Sequence, residues 1–412
     1  MAVSLIKTDV GIDHAGKAAR AARVSRPTRR LRSDHWQMAG LGACLWAFTE
    51  SAAAGNVTLY GLADVAVRYE SNQDEKNRGV LRMTQGPISP SRIGFRGSET
   101  LNEDLRVFFQ LEAGFNLENG TMAANGARLF HRWAQVGIES RRYGQLSFGR
   151  QPSVMFDSLT TTFDPMTLAN YDGNSWLPGA LSGGIFLDNT LKYRYTINGL
   201  TLLAAYSAGY DTLSTGPNGY SGGVTGSPSA GSLRGLGAIY HHGAFGAAAL
   251  WQQGRDNGNR RRDAYNAALT YQIGHTLIAG GYMRSQDNTG GVDARLNRGL
   301  VAPSPTAYKG TNRIDDAFYL GATWRPDAAW TLIGAWYFAR MRNATQAFTA
   351  TGQAVKGTGH RHSWAAQAQY ALSKSVYMYV EADFGVVSGA AQVHYRGNRY
   401  QYGASIGMGK RF

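Results

Sequence analysis

The chain has 412 residues, among them 52 glycines, 22 tyrosines and 11 prolines spread throughout, a composition that favours one extended β architecture over two soluble domains. A mean hydropathy of -0.31 and no apolar run near the ~20 residues of a membrane helix beyond the first 54 exclude a spanning helix. They do not exclude a membrane barrel, whose strands are apolar only at alternate positions. Arg and Lys number 42 against 28 Asp and Glu, a net +14, which excludes a strongly acidic lining but fits an anionic lipid surface, nucleic acid or no particular partner equally well.

Residues 1–54 read as a secretory leader. Arg20, Arg23, Arg26, Arg29, Arg30 and Arg32 precede a short apolar core, Met38 to Phe48, and Ser51-Ala52-Ala53-Ala54-Gly55 supplies the small residues for cleavage near Ala54. Three alternatives stay open: translation from Met38, an Arg-rich transit peptide, and a lipoprotein box at Leu41-Gly42-Ala43-Cys44. Cys44 is the single cysteine, so the mature chain has neither a disulfide framework nor a thiol site. It keeps 34 basic and 24 acidic residues, a net +10.

From Gly55 onward strands of about ten residues alternate with long polar segments and tight turns. Asn56 to Arg68 opens the series, with Leu59, Ala63, Val65, Val67 and Tyr69 on one face and Thr58, Tyr60, Asp64 and Arg68 on the other. Glu70 to Gln85 reads as a polar excursion, Ser91 to Glu99 as the second strand and Thr100 to Asp104 as a tight turn. Leu105 to Leu117 alternates most clearly, with Arg106, Gln110, Glu112 and Asn116 opposite its apolar face. Strands at Phe130 to Ser140 and Gln145 to Gln151 lead into a long insertion, 152–188. The pattern continues through Asn189 to Asn198, Leu200 to Tyr210, Arg234 to His242, Ala244 to Arg255, Asp263 to Ile273, Thr276 to Gln286, Ile314 to Arg325 and Trp330 to Arg342. Asn343 to Arg361 reads as a polar connection, followed by His362 to Leu372, Val376 to Ser388 and a last strand, Tyr400 to Phe412.

In that last strand Tyr402, Ala404, Ile406, Met408 and Phe412 face away from Gln401, Gly403, Ser405, Gly407 and Arg411. Pairing it with the first strand closes the sheet. The reading is therefore all-β: a 16-stranded antiparallel transmembrane β-barrel spanning 55–412, wide enough for an aqueous channel. A soluble sandwich would also alternate, but with short loops at both ends.

Val57-Thr58-Leu59-Tyr60-Gly61, Ser91-Arg92-Ile93-Gly94-Phe95-Arg96-Gly97-Ser98-Glu99, Phe109 to Asn116, Leu146 to Gln151 and the terminal Phe412, in this order and spacing, resemble the trimeric general porins of Gram-negative outer membranes, betaproteobacterial type. The resemblance implies a water-filled channel for passive diffusion of small hydrophilic solutes and ions, a homotrimer, contact with outer-membrane lipid and lipopolysaccharide, and recognition of Phe412 by the barrel assembly machinery. It also implies that 152–188 folds inward as a constriction loop facing a basic cluster on the wall. By similarity Arg92 and Arg132 are two wall arginines of that cluster. Alternation also sends both inward, with Ile93 and Phe95 on the opposite face from Arg92 and Trp133 on the opposite face from Arg132. Where the family often has a third arginine this chain has Phe186, and Lys192 and Arg194 are the candidate substitutes. Asp157, Asp164 and Asp172 are the candidate loop carboxylates, and a field between them and the arginines would bias permeation by charge, here weakly toward anions. Asp64, Glu112, Glu381 and Asp383 also point inward, as lumen polarity.

Neither a cofactor nor a nucleic-acid partner is expected. Gly403-Ala404-Ser405-Ile406-Gly407 matches a nucleophile-elbow pattern, but that motif needs a strand turning into a helix. The nine histidines show no metal-ligand constellation: His241 and His242 point to opposite faces, and His360 and His362 lack a third ligand. Two alternatives to a general porin remain, a substrate-specific porin and a barrel hydrolase.

Overall fold

The computed structural model describes residues 57–412 apart from 75, 88, 124–127, 160–162, 167–183, 216–218, 298–299 and 305. The leader and Asp172 lie outside the described residues. The strands run β1 Thr58–Glu70, β2 Val80–Gln85, β3 Arg92–Thr100, β4 Leu105–Gly114, β5 Trp133–Ser140, β6 Gly144–Pro152, β7 Phe186–Ile197, β8 Leu200–Ser207 and β9 Leu233–His242. They continue as β10 Phe245–Arg255, β11 Arg261–Ile273, β12 Thr276–Asp287, β13 Arg313–Trp324, β14 Trp330–Phe348, β15 Ala354–Ala371, β16 Val376–Gly389 and β17 Tyr400–Arg411. Helix α1, Val154–Ser158, follows β6, and α2, Gly291–Leu296, follows β12.

β2 and β3 both pair antiparallel with β1, each later strand pairs antiparallel with its sequence neighbour, and β1 pairs with β17 from Leu62↔Arg411 to Glu70↔Gly403. The seam ends on two backbone hydrogen bonds, Gly61 N–H to the Phe412 carbonyl at 2.9 Å and Phe412 N–H to the Gly61 carbonyl at 3.1 Å. Gly61 is required there by space: a Cβ would lie 2.3 Å from the Phe412 ring and 2.7 Å from the Arg92 carbonyl. The closed, 16-position antiparallel barrel expected from alternation is the architecture observed.

The sequence reading needs correction at two places. Val80–Gln85 is a strand rather than part of a polar excursion, and it pairs with the outer half of β1 while β3 pairs with the inner half. The two segments share one barrel position, so 17 strands fill 16 places. Ser91 spans the gap between them, its Oγ accepting from Asp64 N–H and donating to the Asp64 carbonyl, both at 2.9 Å. Six residues ending at Gly86-Pro87 are too few to show a period. The β14–β15 hairpin also extends to Phe348 and Ala354, through the segment read as a polar connection. Beyond the apolar belt both faces of a hairpin are wet, so alternation fades although pairing continues.

On β16 and β17 exposed and buried residues alternate without a break. Large apolar side chains such as Leu236, Leu269, Leu320, Val380 and Ile406 stand exposed on the outside. Inward positions divide into two regions. From β1 through β5 and on β16 and β17 most are polar or charged, Leu62 and Ala66 excepted, while from β8 to β15 they include Leu203, Ile239, Ala248, Leu250, Ala264, Met283 and Tyr337, all buried. The inserted loop covers this second side.

Candidate pore constriction

The inserted loop begins at a bulge. The β6–β7 register shifts between Gly149 and Gln151, and Gly149 takes φ +113°, where a Cβ would lie 2.2 Å from the Ala134 carbonyl. Ser153 then caps α1, its Oγ accepting from Phe156 N–H at 3.2 Å. The short helix lies on β8, β9 and β10. Val154, Met155, Leu159, Phe163 and Met166 are 0–1% exposed against the apolar inner wall. Burying a side chain of this size contributes roughly 1.5–3 kcal/mol, so the loop root is held by packing.

The loop carboxylates are tied to the wall. Asp157 Oδ2 accepts from Lys192 Nζ at 2.6 Å, and the same ammonium donates to the Pro152 carbonyl at 3.1 Å. Asp164, 2% exposed, accepts from Tyr337 Oη on β14 at 2.6 Å and from Met166 N–H at 3.2 Å. Asp164 thus ties the loop to β14. Tyr337→Phe removes a hydrogen bond to a charged group, about 1.5–3 kcal/mol. It should raise open-channel noise and mean conductance in single-channel recordings, whereas traces identical to wild type would show that apolar packing alone holds the loop.

The basic wall lies across the lumen. Arg92 opens β3 opposite Leu62 and Gly114, both inward positions. Arg132, 9% exposed, forms an ion pair with Glu112 through Nε. Glu112 Oε2 also accepts from Tyr60 Oη at 2.9 Å, and Tyr60 Oη accepts from Gln110 Nε2 at 2.8 Å. Trp133 pairs with Glu112 in the β4–β5 register and therefore faces inward, contrary to the alternation argument. Arg132 precedes β5, where no strand period applies, and it turns inward to reach its carboxylate.

Phe186, at the third-arginine position, opens β7 beneath two guanidiniums. Arg132 Cζ is 5.1 Å and Arg150 Cζ 6.0 Å from its ring centroid, within cation–π range. Trp133 and Phe156 flank the same ring at 5.1 and 5.2 Å. Lys192 is buried in its pair with Asp157, while Arg194 lies further toward the short turn on the same face, exposed.

Three cluster members escaped the sequence reading. Arg150 and Arg128 both hold Asp188, at 2.5 and 2.6 Å, and Arg128 reaches Asp211 at 3.0 Å. Thr212 donates from its N–H and hydroxyl to Asp188 at 2.8 and 2.7 Å. The bulge at Gly149 breaks the period before Arg150, and Arg128 lies in a connection without one. The inward direction of Glu112 was the only local hint. Much of the wall charge is thus compensated, while Arg92 and Arg194 make no ion pair among the described residues.

His131 sits behind this cluster, its carbonyl accepting from Arg150 Nε at 2.6 Å. Burial, then Arg132 and Arg150, push its imidazole down to about 4 from the usual 6.5. The unfolded chain takes the proton near 6.5 and the folded chain only near 4, so this group makes stability fall as pH drops through that window. His131→Gln should flatten the slope of unfolding midpoint against pH between 6.5 and 4.5 and leave ion preference unchanged there. An undiminished slope would place the titration elsewhere.

Ser405 of the nucleophile-like pattern lies in mid-strand, its Oγ donating to Glu381 Oε2 at 2.8 Å. It has no strand-to-helix turn and so no elbow.

A family described as Gram-negative porin matches residues 41–390. An outer membrane porin protein of Bordetella pertussis is 33% identical over 165 residues, 37% of this chain and 42% of that protein. Outer membrane porin N of Escherichia coli is 25% identical over 246 residues, covering 56% of this chain and 62% of the relative. These alignments thus span less than two thirds of either relative. Outer membrane porin protein 32 of Delftia acidovorans is 27% identical over 287 residues, 67% of this chain and 78% of its own length. Among solved structures, an anion-selective porin from Comamonas acidovorans superposes with a TM-score of 0.66 at 18% identity, over 87% of this chain and all of that one. That likeness is one of fold. With the family match covering most of the length, the chain belongs to the Gram-negative porins.

Proposed function

We propose that this protein is an outer-membrane porin whose water-filled channel passes small hydrophilic solutes and ions by passive diffusion, with a weak preference for anions. The observation that carries the reading is the closed barrel narrowed by a packed inward loop, with Arg92, which makes no ion pair among the described residues, on the opposite wall. A fixed charge beside a narrow aqueous path with low-dielectric walls biases ion entry. In this reading residues 1–54 are removed on export, 152–188 is the constriction loop, and Arg92 and Arg132 set the preference with support from Arg194. Lys192 and Asp157 fix the loop root, and Asp164 and Asp172 belong to the loop. The channel works as a homotrimer in contact with outer-membrane lipid and lipopolysaccharide, and Phe412 is read by the barrel assembly machinery. One solved structure of similar fold, OmpT of Vibrio cholerae, is titled as a trimer form, which supports the trimer.

The test is the reversal potential of purified, refolded protein in a planar bilayer under a tenfold potassium chloride gradient. Conductance rising in threes with a chloride-favouring potential is the expected result. Cation preference would move control to carboxylates, and a folded barrel without conductance would overturn the reading. The aromatic plate of Trp133, Phe156 and Phe186 beside Arg132 favours a second reading, a substrate-specific porin for aromatic anions. Benzoate blocking chloride current at millimolar concentration, with acetate inert, would select it.

A further inference from the structure

The described part of the inserted loop packs on β8 to β15. On the other side of the lumen, between Glu112 and the short turns, the inner wall of β3 to β6 carries three cross-strand rows. Arg96, Gln110 and Gln135 form the first, Ser98, Phe108 and Gly137 the second, and Arg106, Glu139 and Gln145 the third. All share the inward parity of Glu112. Side chains of these rows line a hollow of about 470 Å³, within the roughly 300–1,000 Å³ of small-molecule sites.

The charges of the hollow are nearly balanced. Arg106 pairs with Glu139, whereas Arg96 is exposed, lies 5.3 Å from the Tyr60 ring centroid and makes no ion pair among the described residues. One positive charge therefore remains. The amides form a partly used chain: Gln135 Nε2 donates to Gln110 Oε1 at 3.3 Å, and Gln110 Nε2 to Tyr60 Oη at 2.8 Å. Gln135 Oε1 and the whole Gln145 amide are left without a hydrogen bond among the described residues. Phe108 supplies the apolar surface. Its ring covers Gly137, where a Cβ would lie 2.4 Å from it.

We propose that this hollow is a binding site for a hexuronate, a six-carbon sugar ring bearing one carboxylate. The inference rests on the channel reading and names a substrate class for it. The one unpaired guanidinium selects one carboxylate through a charge-assisted hydrogen bond. Amides that both donate and accept match sugar hydroxyls, which do the same. The electron-rich face of Phe108 receives the C–H face of the sugar. An inorganic anion would leave the amides and the ring unused, and a neutral sugar would leave the guanidinium unused. The hollow opens on the lumen, so the ligand is held weakly enough to leave, as conduction requires.

The probe is potassium glucuronate, its dissociation constant on the refolded protein in detergent read by saturation-transfer NMR. The wild type should bind it at about millimolar concentration, with glucose and acetate each at least about tenfold weaker. Arg96→Gln removes a charge-assisted contact and should weaken glucuronate about tenfold while leaving glucose unchanged. Phe108→Leu keeps an apolar side chain but removes the ring, and should weaken glucuronate and glucose alike, about threefold to tenfold. Acetate binding as tightly as glucuronate to the wild type would overturn the proposal, since the wall would then read charge alone. Unchanged glucuronate affinity in both variants would also overturn it. So would a loss in Arg92→Gln that Arg96→Gln does not share, which would place the ligand at the constriction. Potassium chloride conductance in a bilayer is the separate check on the channel reading, and the detergent measurement does not depend on it.

Discussion

Arg68→Ala should lower the barrel's unfolding midpoint by an amount corresponding to roughly 3–5 kcal/mol, the cost of leaving buried charges without their partner. Arg68 is 1% exposed, and its guanidinium meets Asp383 at 2.6 Å, Glu70 at 3.2 Å and Glu381 at 3.4 Å. The side chain lies across Gly403, where a Cβ would come within 2.3 Å of it. It therefore joins β1 to β16 over β17, at the seam that closes the ring. Without the cation three carboxylates share one site, and each then disfavours ionisation of the others. The check is the urea midpoint of protein refolded in lipid vesicles, read as the band shift between folded and unfolded forms on gels. Adding Asp383→Ala to Arg68→Ala should restore part of the loss if the penalty comes from unpaired charge, because contacting residues are not additive. An unshifted midpoint in the single variant would mean that lumen water screens the network.

The second large effect is expected on ion selectivity. Arg92→Gln with Arg132→Gln removes one uncompensated cation and exposes Glu112, which keeps its Tyr60 hydrogen bond but loses its counter-charge. A unit charge about 8 Å from a permeating ion contributes about 0.5 kcal/mol in water, with opposite sign for anion and cation. Each lost cation should therefore lower the chloride-to-potassium permeability ratio about threefold to fivefold at 0.1 M salt, and by less at 1 M where screening is stronger. The double variant should cross into cation preference. Glu112→Gln should move the ratio the other way, since Arg132 is then free. Reversal potentials under a salt gradient read both. If the double variant keeps the wild-type ratio, the narrowest point lies away from this wall.

The candidate site was legible in part. Arg92 could be placed in the lumen from Ile93 and Phe95 alone, and the structure puts it there opposite Leu62. Arg132 was placed correctly on a mistaken ground, since Trp133 also faces inward. Asp164 was sought across the gap and lies against Tyr337. A loop has no fixed period, so its contacts follow from what its apolar residues find to bury, here the small-residue wall of β8–β15. Arg150 was hidden by a single bulge, because one extra residue reverses the face of everything after it.

The amino-acid order by itself determined the closed barrel, its sixteen positions and the face of the regular strands apart from the start of β5, because a period of two is a local property that backbone geometry turns directly into inside and outside. Only the tertiary structure decided which inward charges are neutralised. The Arg68 contacts to Glu381 and Asp383 join residues 313 and 315 apart in the chain, and they exist only once the first and last strands meet. The same closure sets the course of the loop, since it depends on the register of separate hairpins against one another, which no single stretch of chain specifies.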